Sequence, residues 1–340
     1  MDKALLAKTA AAMVAKGRGI LAADESAGTC EKRFQSIGVA CTEENRRSYR
    51  GLLFATPGVE KFLSGVILFD ETIRQKADDG TPFPDALSKK GIIPGIKVDK
   101  GTIDIPFAPG EKVTEGLDGL STRLDAYFKL GARFAKWRAV ITIGEAIPSH
   151  TCLYANAHAL ARYAAACQAA SIVPIIEPEV LLDGDHTAER CEAVSEATLR
   201  ATYAALAAYN VAPEYTILKA SMVVSGKDCP RQASVQEVAE RTVRVLKRTV
   251  PAAQPGVVFL SGGQSDLNAT AHLSAMAAMP GLPWPLTFSY SRALQNPALN
   301  TWRGRAASAQ AAQQAFYHRA HMNGLAAQGK WKPELERQAA

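Results

Sequence analysis

The sequence predicts an α/β protein folded as one (β/α)8 barrel over residues 1–340, with an additional helix at each terminus. Three observations predict it. Eight short apolar runs recur at intervals of roughly 30–45 residues, most of them separated by helical periodicity. The runs are continuously apolar rather than alternating, as strands buried on both faces of a parallel sheet must be. Polar residues gather at the C-terminal ends of these runs, where barrels of this kind carry their chemistry. Strand and helix repeated eight times close most simply on themselves, and such barrels run well beyond about 200 residues as one unit.

Taken in order, Met1–Lys16 reads as a short Ala-rich surface helix. The eight strand runs are Gly19–Asp24, Val66–Asp70, Ile92–Val98, Phe134–Val140, Ile172–Glu177, Thr216–Val223, Val257–Ser261 and Leu286–Tyr290. Between the third and fourth, Lys100–Gly116 is rich in Gly and Pro and reads as a loop within the domain. His150–Gln168 is helical, with Leu153, Ala157, Leu160, Ala164 and Cys167 on one stripe. Thr187–Tyr209 is helical too, with Cys191, Val194, Thr198, Ala201 and Leu206 facing in. Ser234-x-x-Glu237 is a capping box; Val238, Thr242, Val245 and Leu246 then line one face, and Arg241, Arg244, Lys247 and Arg248 the other as solvated charges.

Composition narrows the function. Hydrophobic residues make up 47% and charged residues 21%, enough for a large core. The net charge of +6 comes without a block of five or six like charges, against a nucleic-acid arm or polybasic membrane patch; a basic pocket for a small anion fits better. The six cysteines show no C-x-x-C pair and read as free thiols in a reducing compartment. Cytoplasm is the default, with the plastid stroma as the alternative if a transit peptide was removed. The six histidines form no H-x-x-x-H pair, which argues against a metal site, and no run of 18 apolar residues predicts a membrane span.

Three strands carry charge where apolar residues belong: Lys219 on the sixth, Lys136 and Arg138 on the fourth, Glu177 and Glu179 on the fifth. An ammonium in such a place costs several kcal/mol to bury unpaired, so it finds a carboxylate or sheds its proton. A buried ion pair explains any one of them; a neutral amine that condenses with a carbonyl explains the set. Lys136, two strands away, is then the second cation that favours neutral Lys219. Glu177 is placed to donate the proton that carbinolamine dehydration needs, and Asp24 is the carboxylate left to act as base. Ser261-Gly262-Gly263 after the seventh run is an ordinary turn on its own; with Arg292 after the eighth it reads as a phosphate site. Lys32, Arg33, Lys97 and Arg138 are candidates for a second anion.

These stretches resemble class I fructose-1,6-bisphosphate aldolase over about residues 5–330. The matching motifs are Gly19-Ile-Leu-Ala-Ala-Asp-Glu-Ser26, Thr42-Glu-Glu-Asn-Arg-Arg47, Gln75-Lys-Ala-Asp-Asp-Gly80, Gly95-Ile-Lys-Val-Asp-Lys-Gly101 and Phe134-Ala-Lys-Trp-Arg138. Beyond them come Glu177-Pro-Glu179, Asp183-Gly-Asp-His186, Phe259-Leu-Ser-Gly-Gly-Gln-Ser265 and Tyr290-Ser-Arg-Ala-Leu-Gln295. The resemblance implies a TIM barrel, a homotetramer, and no metal or other cofactor. The implied reaction is reversible cleavage of fructose 1,6-bisphosphate, in glycolysis and gluconeogenesis, through an imine on Lys219. It implies Glu177 as proton donor and acceptor, Asp24 as base at the C4 hydroxyl, Lys136 and Arg138 orienting substrate, and Glu179 in support. Ser261, Gly262, Gly263 and Arg292 then hold the C1 phosphate, Arg33 makes a further substrate contact, and Lys97 and Ser26 belong to the C6-phosphate end.

Three departures are visible. Ser291 stands where many members have glycine, and Thr29 where they have serine. Many members also close with a mobile tail ending in tyrosine, whereas this sequence reads Glu336-Arg337-Gln338-Ala339-Ala340 and its last tyrosine is Tyr317. The third departure leads to an expectation of slow enamine protonation and a weaker preference for the bisphosphate over fructose 1-phosphate. The competing readings are a Schiff-base aldolase acting mainly on sedoheptulose 1,7-bisphosphate or fructose 1-phosphate, an idle barrel serving as a scaffold, and a metal-dependent aldolase.

Overall fold

The computed structural model describes residues 1–337, so the expectation resting on the last three residues lies outside it. Eight parallel strands close a barrel in chain order: β1 Gly19–Ala23, β2 Leu63–Leu68, β3 Ile93–Lys97, β4 Phe134–Ile141, β5 Val173–Val180, β6 Ile217–Ala220, β7 Val257–Phe259 and β8 Leu286–Tyr290. Each pairs with the next, and β8 returns to β1 with Leu21 opposite Tyr290. All eight expected strands are present.

The boundaries differ for physical reasons. β2 begins three residues early because Ser64 and Gly65 hide it from a search for apolar runs. Ser64 donates to the Met13 and Gly19 carbonyls, at 2.6 and 3.0 Å. Gly65 makes room for the Phe134 ring, which a Cβ there would meet at 2.9 Å. Asp70 opens a separate short helix, Asp70–Ile73. β6 ends at Ala220 although Met222 and Val223 are still buried, because the Ser221 hydroxyl takes over from the ladder. It receives the Val180 amide and donates to the Val180 carbonyl, both at 3.0 Å. The expected loop Lys100–Gly116 contains a small antiparallel hairpin, Thr102–Asp104 against Lys112–Thr114.

Helices fall where the capping signals put them. Ser149 caps His150–Ala169, Thr187 caps Ala188–Ala208, and Ser234 accepts the Glu237 amide to start Val235–Thr249. On the basic face of this last helix Arg244, Lys247 and Arg248 are exposed, and the arginines also pair with glutamates of the preceding helix. Arg241 bonds Glu192 at 2.6 Å and also reaches Glu189, Arg244 bonds Glu192 at 2.8 Å, and Arg248 bonds Glu196 at 3.0 Å, stitching it to its neighbour. The additional C-terminal helix is Ala309–Ala326, followed by a short turn of helix at Pro333–Arg337. No helix among the described residues is long and apolar enough to cross a membrane.

The N-terminal helix, Lys3–Met13, corrects the expectation of a surface element. Asp2 caps it, and its Leu6, Ala10 and Met13 are fully buried. They form one cluster with Ile20, Ala22, Ile67, Phe134, Val173, Ile175, Ile217 and Val258, which come from β1, β2, β4, β5, β6 and β7. The helix therefore stoppers the N-terminal end of the barrel. Side chains alternate along a strand, so the residues two steps further on point the same way. Above Ala22 comes Asp24, above Phe134 Lys136 and then Arg138, above Ile175 Glu177 and then Glu179, above Ile217 Lys219. On β1, β4, β5 and β6 the inward face is apolar at the stoppered end and charged at the mouth.

Candidate active site

Period-two placement brings the charged residues into one cavity of about 520 Å³ at the C-terminal mouth. Asp24, Lys136, Glu177 and Lys219 lie deepest, each 8% exposed or less. Lys219 Nζ is 3.0 Å from Glu177 Oε1, and Lys136 Nζ is 2.9 Å from the other oxygen, Glu177 Oε2. Lys136 also donates to Asp24 Oδ2 at 3.0 Å. The four form a chain of alternating charge, Lys219–Glu177–Lys136–Asp24.

Burial sets the electrostatics, and partners reverse its sign. Desolvation pushes Asp24 up, but Lys136 and then Lys219 outweigh it and hold its pKa at about 2. Burial likewise opposes ionisation of Glu177, and the same two ammoniums pull it below the usual carboxylate range. Burial would neutralise Lys136, yet Asp24 and Glu177 raise it well above an ordinary lysine. Lys136 is a fixed cation, and Asp24 and Glu177 are ionised in the resting site.

Nearer the rim Glu179 pairs with Arg138, and Asp99 holds Lys97 at 2.9 Å. Ser26 caps helix Ala27–Gln35 and faces the cavity with Thr29, Lys32 and Arg33. Across the mouth, Ser261 and Gly262 line the wall, and Arg292 opens helix Arg292–Trp302. Gly262 and Gly263 hold φ of 56° and 97°, backbone that favours glycine. Gly263 stands just behind the wall, where a Cβ would lie 3.4 Å from Arg292 Nη2. Among the described residues no carboxylate pairs with Arg292; burial, then repulsion from Arg33, lowers its pKa. Ser291 has φ −105°, outside the left-handed range that favours glycine.

The structure thus gathers Asp24, Ser26, Arg33, Lys97, Lys136, Arg138, Glu177, Glu179, Lys219, Ser261, Gly262 and Arg292 around one space, with Gly263 in support. Reading the sequence missed Glu25 and Ser289. Glu25 takes Arg33 at 2.5 Å, and the buried Arg50 donates to its carbonyl at 2.6 Å. Ser289 is 1% exposed and lines the cavity, and its buried hydroxyl has no partner among the described residues. Its only sequence signal is an inward polar position near the end of a strand. Several motifs support the site from outside. Arg46 grips Glu71 through two bonds, and Asp183 holds Lys227 at 2.6 Å. The loops after β5 and β6 are zipped together: Gly226 donates to the His186 carbonyl at 2.8 Å, and a Cβ on Gly226 would strike Gly184 O at 2.3 Å. No group of three or more His, Cys, Asp or Glu among the described residues has the arrangement of a metal cage.

A closed parallel barrel with buried lysines threaded between carboxylates, and unpaired cationic charge at one rim, is a lyase-type scaffold suited to amine chemistry on anionic substrates. The chain matches fructose-bisphosphate aldolase class-I over residues 5–340. It is 61% identical over 328 residues to a probable fructose-bisphosphate aldolase class 1 of Xanthomonas campestris pv. campestris, spanning 96% of this chain and 98% of that one. Against the fructose-bisphosphate aldolase of Dictyostelium discoideum the identity is 51%, over 97% and 93% of the two chains. A crystal structure of fructose-bisphosphate aldolase from Plasmodium falciparum, in complex with TRAP and a small-molecule inhibitor, superposes with a TM-score of 0.96 at 49% identity, covering 97% and 95%. The chain belongs to the class I fructose-bisphosphate aldolases.

Proposed function

We propose that Lys219 is the nucleophile of this aldolase, that Glu177 and Asp24 carry its protons, and that Lys136 is the cation that holds both carboxylates. The observation that carries this reading is the single carboxylate of Glu177 shared between the two ammoniums, at 3.0 and 2.9 Å. Glu177 takes a proton from Lys219, whose neutral amine then attacks the C2 carbonyl of fructose 1,6-bisphosphate. The protonated Glu177 returns that proton to the carbinolamine hydroxyl, which leaves as water, and a cationic imine remains. Asp24, ionised and held by Lys136, removes the C4 hydroxyl proton. The C3–C4 bond breaks, its electron pair passes into the imine, and glyceraldehyde 3-phosphate departs. Protonation of the enamine and hydrolysis release dihydroxyacetone phosphate.

Arg292, which has no carboxylate partner among the described residues, receives the C1 phosphate with the amides of the Ser261–Gly263 turn. Ser26 and Lys97 face the other end, and Arg33 makes a further substrate contact. The protonated imine serves as the electron sink, so no metal or other cofactor enters this scheme. Sodium borohydride with dihydroxyacetone phosphate should leave one stable adduct, located by peptide mass spectrometry on Lys219, and EDTA should leave turnover unchanged. An adduct on Lys136 or Lys97 would remove Lys219 from its role; activity lost to EDTA and restored by zinc would place the mechanism with metal chemistry.

The reading extends to assembly and compartment. Along helix His150–Ala169 the rings of His150, Tyr154 and His158 stack at 6.1 and 6.2 Å, and Tyr209 packs edge-on against His158. Tyr154 is 64% exposed, an apolar surface that supports a homotetramer. Sedimentation velocity should give four chains per particle, and Tyr154→Asp should lower that number; a wild-type monomer would reject the assembly. Six free cysteines, five of them buried, support residence in the cytoplasm or another reducing compartment.

A further inference from the structure

Ser26, Thr42, Ser149, Thr187, Ser234 and Ser265 each stand at a helix start and accept an amide of the first turn with their side chain. Ser291 begins helix Arg292–Trp302 and does not. Its hydroxyl is engaged elsewhere, donating to Glu25 Oε1 at 2.7 Å and accepting from Arg33 Nη2 at 3.0 Å. Glu25 Oε1 also takes Arg33 Nη1 at 2.5 Å and Gln295 Nε2 at 2.8 Å. Gln295 is fixed in turn on the Ala22 carbonyl at 2.7 Å. Both terminal nitrogens of Arg33 are therefore held, one by a carboxylate and one by a hydroxyl.

This hold works against repulsion. Arg33 and Arg292 both border the cavity, and the charge of Arg33 bears on the Arg292 guanidinium. A long side chain beside a like charge moves away unless something retains it. Glu25 supplies the compensating charge, but one carboxylate contact leaves the guanidinium free to swing about it. The second contact, to Ser291, fixes its plane.

We propose that Ser291 is a positioning residue of the phosphate site: its hydroxyl keeps Arg33 beside Arg292, so that a phosphate at the β7–β8 rim meets two aligned guanidiniums. This rests on the assignment of the C1 phosphate to Arg292. It makes Ser291 a determinant of affinity for substrates whose only phosphate is at C1, since a bisphosphate has a second anchor at the far end. A pre-aligned guanidinium gives up less conformational freedom on binding.

The test is steady-state kinetics on fructose 1-phosphate and fructose 1,6-bisphosphate with Ser291→Ala, Ser291→Thr, Arg33→Ala, the Arg33→Ala/Ser291→Ala pair and Arg292→Ala, each checked by thermal melting. Ser291→Ala should raise KM for fructose 1-phosphate about tenfold, raise KM for the bisphosphate less, and leave kcat within about twofold. Ser291→Thr, which keeps the hydroxyl, should restore KM. In the Arg33→Ala background, Ser291→Ala should add nothing. An unchanged or lowered KM in Ser291→Ala, or an undiminished effect without Arg33, overturns the proposal. If Arg292→Ala also leaves KM unchanged, the phosphate assignment itself falls; if only Arg292→Ala raises it, Ser291 alone is wrongly read.

Discussion

Lys219→Met should lose turnover by about four orders of magnitude or more, a barrier increase of about 5.5 kcal/mol, while the protein stays folded. Methionine keeps an unbranched stem of similar volume in a strand buried at every position. The ammonium is lost, but Glu177 is not orphaned, because Lys136 remains on its second oxygen at 2.9 Å. The barrel should melt within a few degrees of wild type, and fructose 1,6-bisphosphate should still bind through the rim arginines. Borohydride trapping should give no adduct. Turnover within tenfold of wild type, or an adduct that persists, would show that another amine does the chemistry.

Lys136→Met should damage both chemistry and stability. Asp24 and Glu177 both lean on this ammonium, at 3.0 and 2.9 Å, and its removal leaves Asp24 buried without a cation in contact. Breaking a buried pair in this way costs about 3–5 kcal/mol, and losing the charge that organises base and donor should lower kcat by about 10³-fold. The dependence on pH gives the sharper signature. In wild type Asp24 is depressed from 3.8 to about 2, so its contribution, on the order of 2 kcal/mol, is fully present above pH 4 and lost as pH falls toward 2. With Lys136 gone, burial dominates and Asp24 rises above its ordinary value. A carboxyl that binds its proton more tightly when folded contributes stability at low pH, which is lost as pH rises. The variant's urea midpoint should therefore fall between pH 5 and 8, where this group leaves wild type level. Parallel profiles for the two proteins would mean that Lys136 is not the counter-ion of Asp24.

The sequence discloses most of the barrel because its strands are buried on both faces and so read as unbroken apolar runs. It also discloses the deepest site residues, since Lys136, Glu177 and Lys219 violate those runs. β2 was entered late where Ser64 and Gly65 serve a neighbour, by bonding Met13 and Gly19 or by clearing space for Phe134. The buried stripe of the first helix does not show in the sequence, because its alanines leave little contrast between buried and exposed faces. Glu25, Ser289 and the bonds of Ser291 depend on β8 closing against β1. Ser291 and Glu25 are 266 positions apart, and no local pattern announces that contact.

The Lys219–Glu177–Lys136–Asp24 quartet is electrically neutral at rest, with two cations and two anions. In the proposed sequence it stays so. When Glu177 accepts the Lys219 proton, one charge of each sign disappears; when the imine forms, both return. At bond cleavage the imine cation vanishes as Asp24 takes up a proton, and the sum is again zero. Side chains this buried stabilise an uncompensated charge poorly, and in the quartet none arises: its charges sum to zero at each step. The quartet can pass through the reaction forward and backward with its own charge sum unchanged, so the two directions meet the same electrostatic terrain.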